Sequence, residues 1–172
     1  MSELTLRARL EAIAGIDQGL HLACRRITPQ DLVKVADLFS RVYPAGDDGQ
    51  ETPAIEQARE QIELFWNGEY GPIIKEATLG AWKEHRLLGA IIVLEAPPWE
   101  DEPATDPPTP CVAEFFVHPK HRGLGIATSL LGAAAHECAE LGLDSMTMRI
   151  DISKAQDAFI LAEYLGFETE NN

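Results

Sequence analysis

The segment VHPKHRGLGIATSLL at residues 117–131 combines two glycines with three adjacent basic side chains at the start of a helical run. The first turn of a helix has unpaired N–H groups and the positive end of the helix dipole, which together bind anions. Gly123 and Gly125 leave that backbone bare, so a phosphate can reach it. The three residues from Lys120 to Arg122 are basic within an otherwise acidic chain. The segment therefore predicts that backbone groups bind a diphosphate.

Two familiar nucleotide-binding loops are excluded by the same residues. The segment lacks the GxxxxGK[ST] pattern of the nucleotide P-loop. The dinucleotide pattern GxGxxG would need a glycine at position 128, where the chain has Thr128. An ordinary glycine-containing turn remains the alternative interpretation.

Hydrophobic periodicity predicts the elements that would position this segment. Their order is strand, two helices, three strands, helix, strand, helix and a short last strand, which indicates a single α/β domain with a mixed sheet. We expect the domain to cover residues 20–172, with residues 1–19 as an N-terminal extension containing a short helix. The predicted ranges are 20–27, 29–42, 53–67, two strands within 77–95 joined at 83–86, 111–117, 126–142, 145–152, 153–166 and 167 onward. The helix at 29–42 has a start signal in Thr28 and Pro29, and the helix at 153–166 begins with a capping box at residues 153–156.

Two features between these elements carry open alternatives. Gly89, inside an apolar strand pattern, predicts either a bulge or a close approach of another backbone. Residues 95–110, EAPPWEDEPATDPPTP, contain too many prolines to form a sheet ladder and are expected to be an exposed loop. This loop is either a solvated connector or a lid that faces a substrate.

Composition limits the partners and the compartment. The formal net charge of −14 argues against general binding to nucleic acid or to an anionic membrane, because both favour basic faces. The same charge would favour a cationic partner. Cys24, Cys111 and Cys138 have neither disulfide nor zinc-ligand spacing, so we predict a reduced compartment and no metal site. The longest apolar run, at residues 88–94, is far too short to span a bilayer, and we predict a cytoplasmic protein.

The core FFVHPKHRGLGIATSLL at residues 115–131 resembles the GNAT superfamily of N-acyltransferases. In that family an apolar strand ends in V-x-P, and a Q/R-x-x-G-x-G/A signature for acetyl-CoA follows, which Arg122, Gly125 and Ala127 match. The segment AEYLGFE at residues 162–168 and the element order from about residue 20 extend the resemblance. It implies a central, mixed but mostly antiparallel sheet flanked by helices. In this sheet the cofactor strand carries a bulge and is splayed from its neighbour.

The resemblance implies that acetyl-CoA is the acyl donor. Its pantetheine arm would pair with the backbone of Phe115, Phe116 and Val117 as if it were an added strand. One N–H group of that strand would polarise the thioester carbonyl. The pyrophosphate would lie mainly on the main chain of the loop that follows. The residues carried over to this loop are Arg122, Gly123, Leu124, Gly125, Ile126, Ala127 and Thr128.

Direct attack of an amine on the thioester needs a base and a source of a proton for the thiolate. Glu114 is the candidate base because it is the only charged side chain in CVAEFFV, although a solvent-facing strand residue is the alternative. Asp151, on the adjoining strand, is a second candidate. The tyrosine of the family's L-Y-x-x-L-G-F ending corresponds to Ala162 here. Tyr164 is the candidate acid if the helix is rotated, and a packing or surface tyrosine otherwise.

These expectations describe an N-acetyltransferase that moves an acetyl group from acetyl-CoA to a primary amine of a small molecule or peptide. The acceptor site would form near the two early helices, where Trp66, Tyr70 and the acids of residues 47–51 would hold a cationic or partly aromatic amine. The alternative is a GNAT-like module that binds an acyl-CoA or a protein partner without turnover, and it is supported by Ala162. An enzyme that uses a longer acyl-CoA is the third interpretation, and the resemblance implies a homodimer, which many members of the family form.

Overall fold

The computed structural model describes residues 3–14, 23–42, 54–103, 105–153 and 155–170. The strands are β1 (Glu3–Arg9), β2 (Ala23–Arg26), β3 (Leu79–Lys83), β4 (Arg86–Leu94), β5 (Cys111–Val117), β6 (Ser145–Asp151) and β7 (Glu168–Thr169). The helices are α1 (Leu10–Ala14), α2 (Leu32–Val42), α3 (Ala54–Trp66), α4 (Ile126–Glu140) and α5 (Gln156–Tyr164).

One mixed sheet contains all seven of these strands, in the order β2-β3-β4-β5-β6-β1-β7. Neighbouring strands are antiparallel except β5 and β6, which are parallel. The predicted fold class, a mostly antiparallel mixed sheet flanked by helices, is therefore confirmed. The predicted element order is also confirmed from β2 onward.

The N-terminal segment differs from its prediction, because residues 3–9 are a strand inside the sheet rather than part of a helical extension. β1 pairs with β6 over its whole length, from Glu3 opposite Asp151 to Arg9 opposite Ser145, and β7 pairs with its other edge. Along β1 the buried Leu6 alternates with exposed neighbours, which is the period of a strand. The helix is limited to α1, which packs against α4.

The sheet separates two apolar layers. On one face, α1, α4 and α5 cover side chains of the central strands, such as Ile91, Met146 and Met148. On the other face, α2 and α3 cover Ile92 and Phe116. The described helices include none with the length and hydropathy that crossing a bilayer requires.

Gly89 in β4 marks a close approach and also borders a bulge, because Ala81 lies opposite Gly89 and Trp82 opposite Leu87, which leaves Leu88 as the extra residue of β4. A Cβ atom on Gly89 would lie 2.9 Å from Leu130 Cδ1 and 3.1 Å from the backbone oxygen of Phe116. The missing side chain therefore lets α4 pack directly on β4, which fixes the position of the glycine-rich loop at the start of α4.

The turn before α2 follows the predicted start signal. Thr28 is the N-cap and Pro29 the first residue of a short 3₁₀ turn. The Asp31 carboxylate accepts hydrogen bonds from the Thr28 N–H and hydroxyl, each at 2.9 Å, and from Arg25 at 3.1 Å. These contacts lower the pKa of Asp31 against the opposing effect of burial. They anchor the helical layer beside Phe116.

Candidate active site

β5 separates from β6 after two residue pairs. Cys111 lies opposite Thr147 and Val112 opposite Met148, and the described pairing ends there. On the other side, β5 stays paired with β4 as far as Val117. The register of that pairing shifts by one residue at Ala113, so β5 contains the expected bulge. The bulge bends β5 away from β6 and opens the sheet.

The hydrogen-bonding direction of β5 shows which residues face the opening. The His118 N–H donates to the Leu88 oxygen at 2.7 Å, so this pair is hydrogen-bonded across β4 and β5. Hydrogen-bonded and non-hydrogen-bonded pairs alternate in an antiparallel ladder, which directs the backbone N–H of Phe116 and Glu114 toward β4. The N–H and C=O groups of Phe115 and Val117 must then face the open edge. Phe115 and Val117 fit the predicted role in binding an added strand, and Phe116 does not.

The opening between β5 and β6 contains a cavity of about 320 Å³. Successive strand residues point to opposite faces, so a lining that includes both Met148 and Arg149 shows that the cavity reaches both faces of the sheet. Its lining is apolar on the side of α4 and α5 and ionic on the opposite side. The lining residues are Glu3, Val112, Ala113, Glu114, Phe115, Leu131, Met148, Arg149, Ile150, Asp151, Ala155, Ala158, Leu161 and Ala162.

Glu114 lies where these two environments meet. Burial raises the pKa of its carboxyl group to about 7, and no neighbouring charge offsets the effect. No described side chain donates a hydrogen bond to it or pairs with it. A carboxylate with a pKa near neutral, free of internal partners and open to a cavity, can accept a proton from a bound ligand.

Asp151 lines the same cavity, but its carboxylate already accepts hydrogen bonds within a turn. Its Oδ1 accepts hydrogen bonds from the Ser153 N–H at 3.0 Å and from the Ser153 hydroxyl at 2.6 Å. The predicted capping box at residues 153–156 is therefore wrong, since α5 begins after Ala155 without a side-chain cap. Glu114 is the stronger of the two candidate bases.

The glycine-rich loop forms the predicted helix start. Gly123 and Gly125 have φ values of +78° and +80°, in the left-handed region that favours glycine. The first helical bond runs from the Ser129 N–H to the Gly125 oxygen at 3.0 Å, so the N–H groups of the three residues from Ile126 to Thr128 have no partner within α4. A Cβ atom built on Gly123 would meet nothing within 4 Å, so the space above this loop is open.

The side chains of this loop also fit a main-chain role. Ile126 and Thr128 are buried, at 2% and 7% exposure, so their contribution to a ligand comes from the backbone. Leu124 is 57% exposed, and Arg122 is exposed as well. Bare amides, a helix dipole and one flexible cation together suit a pyrophosphate.

The family model described as "Acetyltransferase (GNAT) family" matches residues 33–167. The chain belongs to the GNAT acetyltransferase family. In a direct comparison, no curated protein matches the sequence. The family match covers the splayed strand, the glycine-rich loop and all of α5, so every described lining residue of the cavity except Glu3 lies within the matched residues.

Solved structures with the same fold include two aminoglycoside acetyltransferases. AAC(6′)-Iy, in complex with the bisubstrate analogue CoA-S-monomethyl-acetylneamine, has a TM-score of 0.65 and 17% identity, over 89% of this chain and 95% of that chain. The 6′-N-acetyltransferase AAC(6′)-Ig from Acinetobacter haemolyticus, in its apo form, has a TM-score of 0.64 and 15% identity, over 87% and 94%.

A third matched structure is a conserved protein of unknown function from Staphylococcus epidermidis. Its TM-score is 0.64 and its identity 13%, and 98% of the present chain aligns with it. The present chain spans 57% of the length of that protein. At these identities the three structures support the fold alone.

Tyr164 does not line the GNAT cavity, so this geometry does not support its role as the general acid, which stays a prediction. Its side chain is 80% exposed on the outer face of α5. Ala162, at the position of the family's tyrosine, is buried and lines the cavity. Two residues along a helix turn the side chain by about 200°, which explains why the two positions face opposite ways.

Phe116 belongs to the core behind the GNAT cofactor strand and not to its open edge. Its ring meets Phe39 edge to face, with centroids 5.4 Å apart, in the layer under α2 and α3. The alternation of the ladder directs the Phe116 backbone toward β4 and the backbones of Phe115 and Val117 toward the open edge. The predicted role of Phe116 in cofactor binding is therefore not supported by this geometry and stays a prediction.

The expected acceptor residues near α3 lie outside the cavity. Trp66 is half-buried under Lys75, whose Nζ is 5.6 Å from the ring centroid. Tyr70 packs on Phe65 with centroids 4.7 Å apart and contacts Gln61. The acids of residues 47–51 lie outside the described residues.

The basic residues before the loop have structural contacts. The His118 Nδ1 accepts a hydrogen bond from the Lys120 N–H at 3.1 Å, which caps the 3₁₀ turn. Partial burial and then the charges of His121 and Arg41 lower the pKa of His118. His118 is therefore a neutral acceptor within the turn near pH 7, as its contact with Lys120 requires.

Two ionic residues of the cavity were missed by the sequence analysis. Glu3 comes from β1, whose strand was not predicted. Arg149 is the only basic residue in the strand SMTMRID, which is the same signal that drew attention to Glu114 in β5. This signal could have drawn attention to Arg149 but not to Glu3, because β1 also contains Arg7 and Arg9.

Proposed function

We propose that this GNAT protein is an N-acetyltransferase that moves an acetyl group from acetyl-CoA to a primary amine. The observation that carries the proposal is the position of Glu114. Its buried carboxyl group, with a pKa of about 7, lies beside the open edge of β5 in a cavity that reaches both faces of the sheet.

The residues present fit acetyl-CoA as the donor. The open backbone of Phe115 and Val117 can pair with the pantetheine amides, and the bare loop from Arg122 to Thr128 can hold the pyrophosphate. Acetyl-CoA supplies an activated thioester. The structure of AAC(6′)-Iy with a CoA-based bisubstrate analogue gives this assignment support from a protein of the same fold.

The ionic side of the cavity suits the acceptor. An ammonium group is the common form of a primary amine near pH 7, and Glu114 can take one proton from it to give the nucleophile. The nitrogen–carbon bond then forms as the carbon–sulfur bond breaks. The Phe115 N–H, at the open edge beside Glu114, is placed to donate to the developing oxyanion.

The thiolate needs one proton for the reaction to balance. Neither described tyrosine, Tyr70 or Tyr164, lines the cavity. The second proton that the nitrogen loses as the amide forms balances the thiolate, directly or through water. The chemistry is therefore complete without a side-chain acid in place of the family's tyrosine.

A cationic amine is the acceptor we propose, because the cavity has three carboxyl groups and one guanidinium among its described lining residues. The matched AAC(6′) enzymes are named for aminoglycoside substrates, which are amines. The cytoplasm is the proposed location, since Cys24, Cys111 and Cys138 are all free thiols. A homodimer stays a prediction.

A binding module without turnover is the second candidate, and Ala162 is the observation that favours it. If the cavity holds an acyl-CoA as a signal, the family's tyrosine has no role, and a small residue at position 162 is tolerated. Catalysis by Glu114 distinguishes the two functions.

Calorimetric titration with acetyl-CoA and with desacetylated CoA, followed by thiol release with a panel of amines, tests the proposal. We expect micromolar binding that is lost in the Gly125→Asp and Arg122→Glu double variant, and thiol release with at least one amine. Binding without thiol release from any amine would favour the module. A lack of binding would contradict both functions.

A further inference from the structure

The ionic side of the cavity contains one cation among its described lining residues. Arg149 comes from β6, and its neighbours in the lining are the acids Glu3, Glu114 and Asp151. These acids attract the guanidinium, yet no described acid pairs with it within 4 Å, so its charge is not taken up by an ion pair.

Arg149 is held in place by two neighbours that leave its terminal nitrogens unused. Its Nε donates to the Thr5 hydroxyl at 3.4 Å, and its guanidinium carbon lies 3.9 Å from the ring centroid of Trp99. Stacking on an aromatic ring uses the face of the guanidinium and leaves its edge free. The described residues provide no acceptor for Nη1 or Nη2.

Trp99 brings the acidic loop of residues 95–110 to the rim of the cavity. The loop is fixed further by Arg7, which donates to Thr109 at 3.4 Å, and by Thr147, which donates to the Pro110 oxygen at 3.4 Å. Of the two interpretations of this loop, a connector and a substrate-facing wall, the contact with Arg149 favours the wall. The loop orients the guanidinium without neutralising it.

Asp151 is not paired with Arg149 within 4 Å, and its Oδ1 accepts two hydrogen bonds from Ser153. Glu114 lies on β5, across the opening from Arg149 on β6. The acceptor side of the cavity thus offers a proton acceptor on one wall and an oriented pair of N–H donors on the other.

We propose that Arg149 binds a carboxylate of the acceptor, so that the acceptor is an amine that also carries a carboxylate, such as an amino acid. This inference rests on the proposed N-acetyltransferase function and names the substrate class of the same cavity. The ammonium group faces Glu114 and the carboxylate faces the guanidinium edge. A planar guanidinium that makes two parallel hydrogen bonds is the preferred protein group for a carboxylate.

A purely structural role is the competing explanation, in which Arg149 only fastens Trp99 and the loop. The two roles predict that substitution of Arg149 affects different sets of amines. A carboxylate-binding residue affects amines that carry a carboxylate, whereas a loop anchor affects all amines alike.

Thiol release with matched amine pairs separates the roles. Each pair consists of an amino acid and its carboxamide, which differ only in the charged group. We expect the wild-type protein to favour the acid, and Arg149→Gln to lower kcat/KM for the acid about ten- to a hundredfold, mainly through KM. The carboxamide should fall by no more than about threefold.

Two further variants accompany this test. Trp99→Leu removes the ring that orients the guanidinium, so it should lower activity toward the acid more than toward the carboxamide, but by a smaller factor than Arg149→Gln does. Arg59→Gln removes an exposed arginine from α3, outside the cavity, and should change neither. Equal losses for both members of a pair in Arg149→Gln, or no preference for the acid in the wild-type protein, would overturn the inference.

A binding measurement separates this inference from the proposed function. N-acetylated amino acids and their carboxamides are titrated by calorimetry into the protein saturated with desacetylated CoA, where no reaction occurs. Tighter binding of the acid that depends on Arg149 would support the inference even if no amine releases thiol. Equal binding of acid and carboxamide would overturn it, whatever the activity.

Discussion

The two edges of β5, a strand of seven residues, have different roles. Toward β4 the strand is paired from Cys111 to Val117, and this edge holds the fold together. Toward β6 it is paired only at Cys111 and Val112, and the rest of this edge faces a cavity. The difference shows that a binding site can form where the pairing of two strands stops, because unpaired backbone groups at the edge of a strand can bind an extended ligand.

Proline substitutions on adjacent residues test this comparison most strongly. Phe116→Pro removes an N–H directed at β4 together with a buried ring, so we expect a loss of more than about 4 kcal/mol in the free energy of unfolding. Val117→Pro removes an N–H that faces the opening and should leave the protein folded but weaken CoA binding. Urea unfolding and calorimetry measure both effects.

Alanine at the same two positions provides the controls, because it removes the side chains and keeps the N–H groups. If Val117→Pro unfolds the protein as far as Phe116→Pro does, beyond the alanine controls, the assignment of the open edge is wrong.

Glu114→Gln tests the chemistry at the point where the two environments meet. A positioned base contributes about a hundredfold or more, so kcat/KM at pH 7 should fall by at least that factor while the affinity for CoA stays unchanged. In the wild-type protein kcat/KM should rise with pH through about 7 as Glu114 ionises. In the variant this rise should be absent, and kcat/KM should rise only as the acceptor amine itself loses its proton.

Glu140→Gln is the matched control, since Glu140 is exposed near the end of α4. A pH profile that is the same in Glu114→Gln and in the wild-type protein would remove Glu114 from the mechanism.

Two glycines show the same contrast between packing and ligand binding. Gly89→Ala puts a Cβ atom 2.9 Å from Leu130 and 3.1 Å from a backbone oxygen. We expect it to cost about 2–3 kcal/mol of stability because the backbone cannot yield as a side chain can. Thermal unfolding measures the loss.

Gly123→Ala meets no neighbour but has a φ of +78°, so strain of about 1–2 kcal/mol is expected together with weaker acetyl-CoA binding. If Gly89→Ala weakens CoA binding more than Gly123→Ala at equal stability, the roles assigned to the two glycines are reversed.

The parts of the site that lie within one stretch of sequence were predictable. The loop from Arg122 to Thr128 needs only glycines, a strand before it and a helix after it, and all of these are local signals. Glu114 was found for a similar reason, as a lone charge in an apolar strand. Both sit in the described structure where the sequence placed them.

The rest depends on contacts between distant parts of the chain. β1 was missed because its partner β6 comes near the other end of the sequence, although its alternation of apolar and polar residues was a usable signal. The exposure of Tyr164 could not be predicted because the rotation of α5 is fixed by packing, which buries Ala162. The role proposed for Arg149 depends on its stacking on Trp99, and Trp99 lies in a loop without regular structure.

The dependence of stability on pH gives the smallest expected effect and tests the burial of Glu114 without any ligand. The folded-state pKa of about 7 exceeds the ordinary 4.5, so between these pH values the folded protein binds the additional proton. The free energy of unfolding should therefore fall as the pH rises from 4.5 to 7, because the unfolded state ionises first. Glu114→Gln removes this penalty, and we expect it to be more stable than the wild-type protein by about 1–2 kcal/mol at pH 8, after allowance for partial exposure. Urea unfolding of both proteins across this range measures the difference. A difference that does not grow between pH 4.5 and 8 would show that the carboxyl group is solvated, and the open side of β5 would then contain water where a buried base is needed.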